Sequence, residues 1–186
     1  MKVQINQLII EIRTGSILSL DVDALVTSTD PGISISDELL QIAGISLQQE
    51  ASLVGYVDIG SATITGAGES RFKKIIHAVG PRWGEASVRG KLANATWTVL
   101  ELAENAGLTS LAMPAIATGS DGGYPIEACA RIMMQQIVDF SFESLNSLRH
   151  IIIALETEQG IQAFTHELQR QLEDLDDTDD VRVALT

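Results

Sequence analysis

The 186-residue chain contains one cysteine, Cys129, so no disulfide can form within it. Histidine is also sparse. His77, His150 and His166 are too scattered to read as a metal-ligand cluster, so neither a structural metal nor a cofactor is expected. Basic residues number 12 against 25 acidic ones, and the formal charge of −13 repels a nucleic-acid backbone. This argues against long DNA or RNA as a partner. No segment approaches the roughly 20 consecutive apolar residues of a membrane span. The opening MKVQINQ lacks the charged-then-apolar order of a secretory signal. The expectation is a cytoplasmic protein with no membrane partner.

Apolar residues make up 45% of the chain, enough for one compact domain with a sizeable core, expected over residues 1–172. Residues 173–180, EDLDDTDD, hold six carboxylates. That run marks 173–186 as a solvated acidic tail, with a protein-interaction role as the lesser reading.

From Val3 to Ile12 apolar residues mostly alternate, which suits a strand pair or one long edge strand. Unalternating apolar runs at 24–26, 75–79, 111–116 and 151–155 read as strands covered on both faces. A short strand is expected within 60–68. Helical spacing appears in Leu40, Ala43, Leu47 and Ala51, and again from Val88 to Ala106, Ile126 to Phe140 and Ile161 to Leu172. Strands alternating with long helices predict a three-layer α/β/α sandwich around a mixed, largely parallel sheet of about six strands. Ligands of such sheets sit beyond the carboxyl ends of the strands.

One segment has the pattern of a phosphate cradle. An apolar strand at 111–117 runs into Thr118, Gly119, Ser120, Asp121, Gly122, Gly123 and Tyr124, and Pro125 opens a helix. Glycines let main-chain amides approach an anion, and the next helix start would add free N–H groups and the positive end of its dipole. The plainer alternative is a tight turn, and Asp121 would repel phosphate unless it faced solvent.

The chain resembles the macro domain family, whose members bind ADP-ribose and related nucleotides. Its motifs correspond here to Gly15-Ser16-Ile17, Val22-Asp23-Ala24-Leu25-Val26, Gly60-Ser61-Ala62-Thr63-Ile64-Thr65-Gly66, Ile75-Ile76-His77-Ala78-Val79-Gly80-Pro81 and Pro114-Ala115-Ile116-Ala117-Thr118-Gly119. The likeness covers about residues 10–172. It implies a macro-type fold and a ligand that is ADP-ribose or another phosphorylated small molecule.

The binding motifs depart from the family pattern. Ser16 stands where the family has an aspartate that contacts the adenine amino group. The paired asparagines appear as Thr27-Ser28-Thr29-Asp30, with Asp30 at the ribose position. The glycine-rich first phosphate loop is shortened to Pro31-Gly32-Ile33-Ser34-Ile35-Ser36. The resemblance accordingly implies ligand contacts from Ser16, Ile17, Asp30, Ile33, Ser34 and Ile35, from residues 118–124, and from Leu155 and Glu156 near the base.

Asp30 is the candidate general base, weighed against a plain Asp-Pro-Gly turn. His77 reads as a packed strand histidine, and Cys129 as core filler. Binding is favoured over turnover. An ADP-ribosyl or O-acetyl-ADP-ribose hydrolase is the second reading, and a protein-interaction module that has lost nucleotide binding is the third.

Overall fold

The computed structural model describes residues 1–119, 122–176 and 183–185. β1 (Lys2–Ile5) and β2 (Leu8–Thr14) form a hairpin, with Val3 opposite Ile10 and Ile5 opposite Leu8. Asn6, at φ 53°, takes the left-handed conformation its two-residue turn requires. β3 (Ala24–Thr29), β5 (Lys74–Val79), β6 (Ser110–Met113) and β7 (His150–Leu155) join β2 in a parallel core. β4 (Ser61–Thr65) pairs antiparallel with β5, and β8 (Val183–Leu185) antiparallel with β1. The sheet order is β4-β5-β3-β6-β7-β2-β1-β8.

The sandwich is as expected, but the sheet has eight strands rather than about six. The N-terminal apolar stretch is a hairpin, and three residues near the C-terminus add another strand. The acidic run begins inside a helix that continues to Asp176, and β8 follows it. The C-terminal residues beyond 172 are therefore partly built into the fold.

Four helices cover the sheet: α1 (Asp37–Val54), α2 (Val88–Asn105), α3 (Ile126–Phe140) and α4 (Glu158–Asp176). Alternation along the strands separates the two faces. Ala24, Val26, Ile76, Leu111, Met113, Ile151 and Ile153 pack with α2, α3 and α4 residues such as Leu92, Val99, Met133 and Phe164. Leu25, Ile75, Ala112, Ile152 and Ala154 meet Leu39, Ala43 and Leu47 of α1 on the other side. Each fully buried Leu or Ile contributes about 1.5–3 kcal/mol by leaving water. Because the parallel strands are apolar on both faces, neither helix layer can be dispensed with.

α1 is broken at Gly44, whose φ of 72° and ψ of 179° lie outside helical values. Only glycine takes this conformation cheaply, and it sets a kink between the first turns of α1 and the rest. The start of α1 is well defined. The Ser36 hydroxyl caps the N–H of Leu39, and Asp37 and Glu38 stand in the positive first turn.

Candidate functional site

The carboxyl ends of the five parallel strands lie along one edge of the sheet, and a cavity of about 590 Å³ opens there. Its wall is assembled in strand order. Gly80 and Arg82 follow β5, and Asp30, Pro31 and Ser34 to Ser36 follow β3. Residues after β6 supply Thr118, Gly119 and Gly122, Glu156 follows β7, and Ser16 to Leu18 follow β2. With strands about 4.8 Å apart, four intervals give a cleft roughly 19 Å long.

Of the residues assigned from sequence, Ser16, Ile17, Asp30, Ser34, Ile35, Thr118, Gly119, Gly122 and Glu156 line this cavity. Three do not, because their side chains turn inward. Ile33 is 1% exposed and packs with Ala51, Val57 and Val79. Tyr124 is buried among the α2/α3-side core and meets Trp83 edge-on, ring centroids 5.0 Å apart. Leu155 is likewise a core residue. Gly123 is exposed at φ 62° but does not line the cavity. Ser120 and Asp121 lie outside the described residues.

The candidate cradle is narrower than its sequence suggests. β6 stops at Met113, because Pro114 has no N–H to extend the ladder, and a turn follows instead of strand to residue 117. Ala117 sits at φ 63°, its N–H bonded to Ser28 Oγ at 2.9 Å, which ties this loop to β3. The amides of Gly122 and Gly123 donate to the Gly119 carbonyl at 3.2 and 2.9 Å, and that of Tyr124 to the Ala117 carbonyl at 2.9 Å. Those three donors are consumed by the loop itself. The N–H groups of Thr118 and Gly119 find no acceptor among the described residues and stand at the cavity wall.

The helix start at the cavity is also a different one. Pro125 caps α3, but no α3 residue lines the space; the cap Ser36 and Glu38 and Leu39 of α1 do. The first amides of α1 have no intrahelical partners, so the dipole end facing the cavity belongs to α1. Sequence reasoning missed this, as it missed Arg82, Gly80, Ser28 and Ile59. The Ser36 cap followed by Asp37 and Glu38 was the available signal for α1. Arg82 had none beyond following Gly80-Pro81.

In the first loop, the Asp30 carboxylate accepts the Gly32 N–H at 2.7 Å, and the Asp30 carbonyl accepts the Ile33 N–H at 3.0 Å. Ile33 holds φ 58°, an uncommon conformation for a β-branched residue. Its buried side chain anchors the shortened loop at that strained point. The amides of Ser34 and Ile35 donate to no described acceptor, and both residues line the cavity.

Ser16 Oγ accepts the Leu18 N–H at 3.3 Å, capping the single 3₁₀ turn at Ile17–Ser19. Its oxygen is therefore engaged locally, and Glu156 is the carboxylate at this end of the cleft.

His77 is 1% exposed beneath this floor. The Thr65 hydroxyl donates to the Gly66 carbonyl at 2.9 Å, so its oxygen accepts from His77 Nε2–H, also at 2.9 Å. Nδ1 then accepts from the Thr27 hydroxyl at 3.1 Å. Burial, partly offset by Glu50, pushes the imidazole down to about 4, so it stays neutral. Cys129 is fully buried against Ile116 and Met133, and burial pushes its thiol up. Neither group reaches the cavity.

A crevice at the carboxyl ends of a doubly covered parallel sheet is where α/β folds hold their ligands. The comparisons agree. The macro domain family model matches residues 22–133. A macro domain-containing protein of Listeria monocytogenes is 32% identical, covering 83% of this chain and 94% of its own. A Saccharolobus solfataricus protein is 34% identical, covering 81% and 86%. The Oceanobacillus iheyensis macrodomain, 26% identical, superposes with TM-score 0.84 over 94% of this chain and 97% of its own in a structure with ADP. A mutant of it with ADPR gives 0.81, covering 93% and 98%. The chain belongs to the macro domain family.

Proposed function

We propose that this protein binds ADP-ribose or a related phosphorylated nucleotide in the cavity at the carboxyl ends of β2, β3, β5, β6 and β7. The observation that carries the reading is an open cleft of about 590 Å³ lined by Thr118 and Gly119, whose amides find no acceptor among the described residues. A cleft roughly 19 Å long by strand spacing suits an extended dinucleotide-like molecule. Phosphate oxygens would settle on the Thr118 and Gly119 amides, with the start of α1 opposite. Ser16, Ile17 and Glu156 would hold the far end, where relatives of this family place the base. Structures of the Oceanobacillus iheyensis macrodomain with ADP and, in a mutant, with ADPR support the ligand class.

Binding is favoured over hydrolysis. Asp30, the candidate base, spends one carboxylate oxygen on the Gly32 amide within its own turn. The open cleft also favours a small-molecule ligand over a purely protein-binding role. Calorimetric titration of the full chain with ADP-ribose tests the reading. Saturable heat with a matching thermal shift is expected; no heat at millimolar ligand would remove it.

A further inference from the structure

Arg82 is the only basic residue among the described residues that line the cavity, where Asp30, Glu38 and Glu156 are all acidic. Its guanidinium makes no hydrogen bond or ion pair with any described residue. Arg13, Arg71, Arg149 and Arg170 are all engaged by protein acceptors, and Arg89 and Arg131 are not part of the cavity lining.

The backbone carrying Arg82 is held at two points against the loop that follows β6. A Cβ on Gly80 would lie 2.6 Å from the Cβ of Ala117, so the two loops pack in direct contact. Three residues on, the Trp83 N–H donates to the Gly122 carbonyl at 2.7 Å. Arg82 lies between these two anchors in the chain and lines the same cavity as Thr118 and Gly119.

The site also needs a cation. The Gly32 and Ile33 amides of the shortened first loop are used within its own turn. A diphosphate entering the cleft meets three carboxylates in a chain of charge −13. The amides of Thr118, Gly119, Ser34 and Ile35 are neutral and bring no net charge to offset that repulsion, whereas a guanidinium does and can take two phosphate oxygens at once.

We propose that Arg82 is a ligand-binding, specificity-determining residue that grips the phosphates of the bound nucleotide and takes over charge neutralisation from the shortened first loop. This inference rests on the nucleotide-binding reading above. It makes the site select for phosphate charge and makes affinity fall with salt.

The test is calorimetry of the full chain and its Arg82→Gln and Arg82→Lys variants with ADP-ribose, ADP and adenosine, at low and high salt. Arg82→Gln should weaken ADP-ribose and ADP by about tenfold or more, with a smaller loss in Arg82→Lys. Adenosine affinity should stay within about twofold in both variants, and the salt dependence seen with ADP-ribose should shrink in Arg82→Gln. Unchanged thermal melting would show that both variants are folded, as an exposed, unpaired side chain predicts. ADP-ribose bound by Arg82→Gln within about twofold of the parent overturns the role of Arg82 and leaves the nucleotide reading standing. If the parent chain binds none of the three compounds, both fall.

Discussion

The main-chain N–H of Trp83 donates to the carbonyl of Gly122 across 2.7 Å, joining the loop after β5 to the loop after β6. The bond depends on Gly122 having no side chain, since a Cβ there would collide with the Ala117 carbonyl. Gly122→Ala should push the two loops apart and destabilise the fold by about 1–3 kcal/mol, read as a melting point lower by several degrees. Gly119→Ala is the control. Among the described residues nothing lies within 4 Å of its added Cβ, so stability should change by less than about 0.5 kcal/mol.

At the opposite end of the cleft, Ser16 uses its hydroxyl to cap the N–H of Leu18. Ser16→Asp keeps a capping oxygen and adds a second, charged acceptor for an amino group of the ligand. ADP-ribose should bind about tenfold more tightly, while ribose 5-phosphate, which has no base, should not gain. Equal gains for both compounds would mean that residue 16 does not face the base.

Asp30 and Gly32 form a self-contained turn. Asp30→Asn retains an oxygen for the Gly32 amide, so ADP-ribose affinity should stay within about threefold of the parent. Asp30→Ala removes that acceptor and should lower stability by about 1 kcal/mol in urea unfolding. A strong loss of binding in Asp30→Asn with normal stability would instead assign the carboxylate a direct ligand contact.

His77 makes stability depend on pH. Its imidazole titrates near 4 in the fold, against 6.5 for an ordinary histidine. Between those values the unfolded chain takes up a proton that the folded chain refuses. Stability is therefore full above about pH 6.5, declines as pH falls through the window, and loses on the order of 3 kcal/mol by about pH 4. His150, lowered by burial against the opposing pull of Glu11, bends the curve the same way. Urea midpoints measured for the parent and His77→Gln isolate the first effect, since the variant should show a clearly shallower slope.

Much of the architecture is legible in the residues. The apolar stretches around Ala24, Ile75, Leu111 and Ile151 have no polar alternation because both faces of those strands are covered, and each forms a parallel strand. The spacing of Ile126, Cys129, Met133 and Ile137 likewise marks the buried stripe of α3. β8 was not legible, since Val183–Leu185 follows an acidic run and has too few residues to show a period. Within the site, motif position located Asp30, Ser34, Thr118 and Glu156 on the cavity wall. It misjudged Ile33, Tyr124 and Leu155, whose apolar side chains gain more from the core than from the cleft.

By itself, then, the order of apolar and polar residues determined a covered parallel sheet, its helix layers and the edge where a ligand would lie, because burial follows periodicity. Which amides remain unengaged was decided only by the folded loops. Hydrogen bonds such as Tyr124 N–H to the Ala117 carbonyl join residues whose pairing depends on backbone torsions, including Ala117 at φ 63°. The place of Arg82 likewise follows from packing between loops that lie far apart in the chain, a relation that local pattern does not encode.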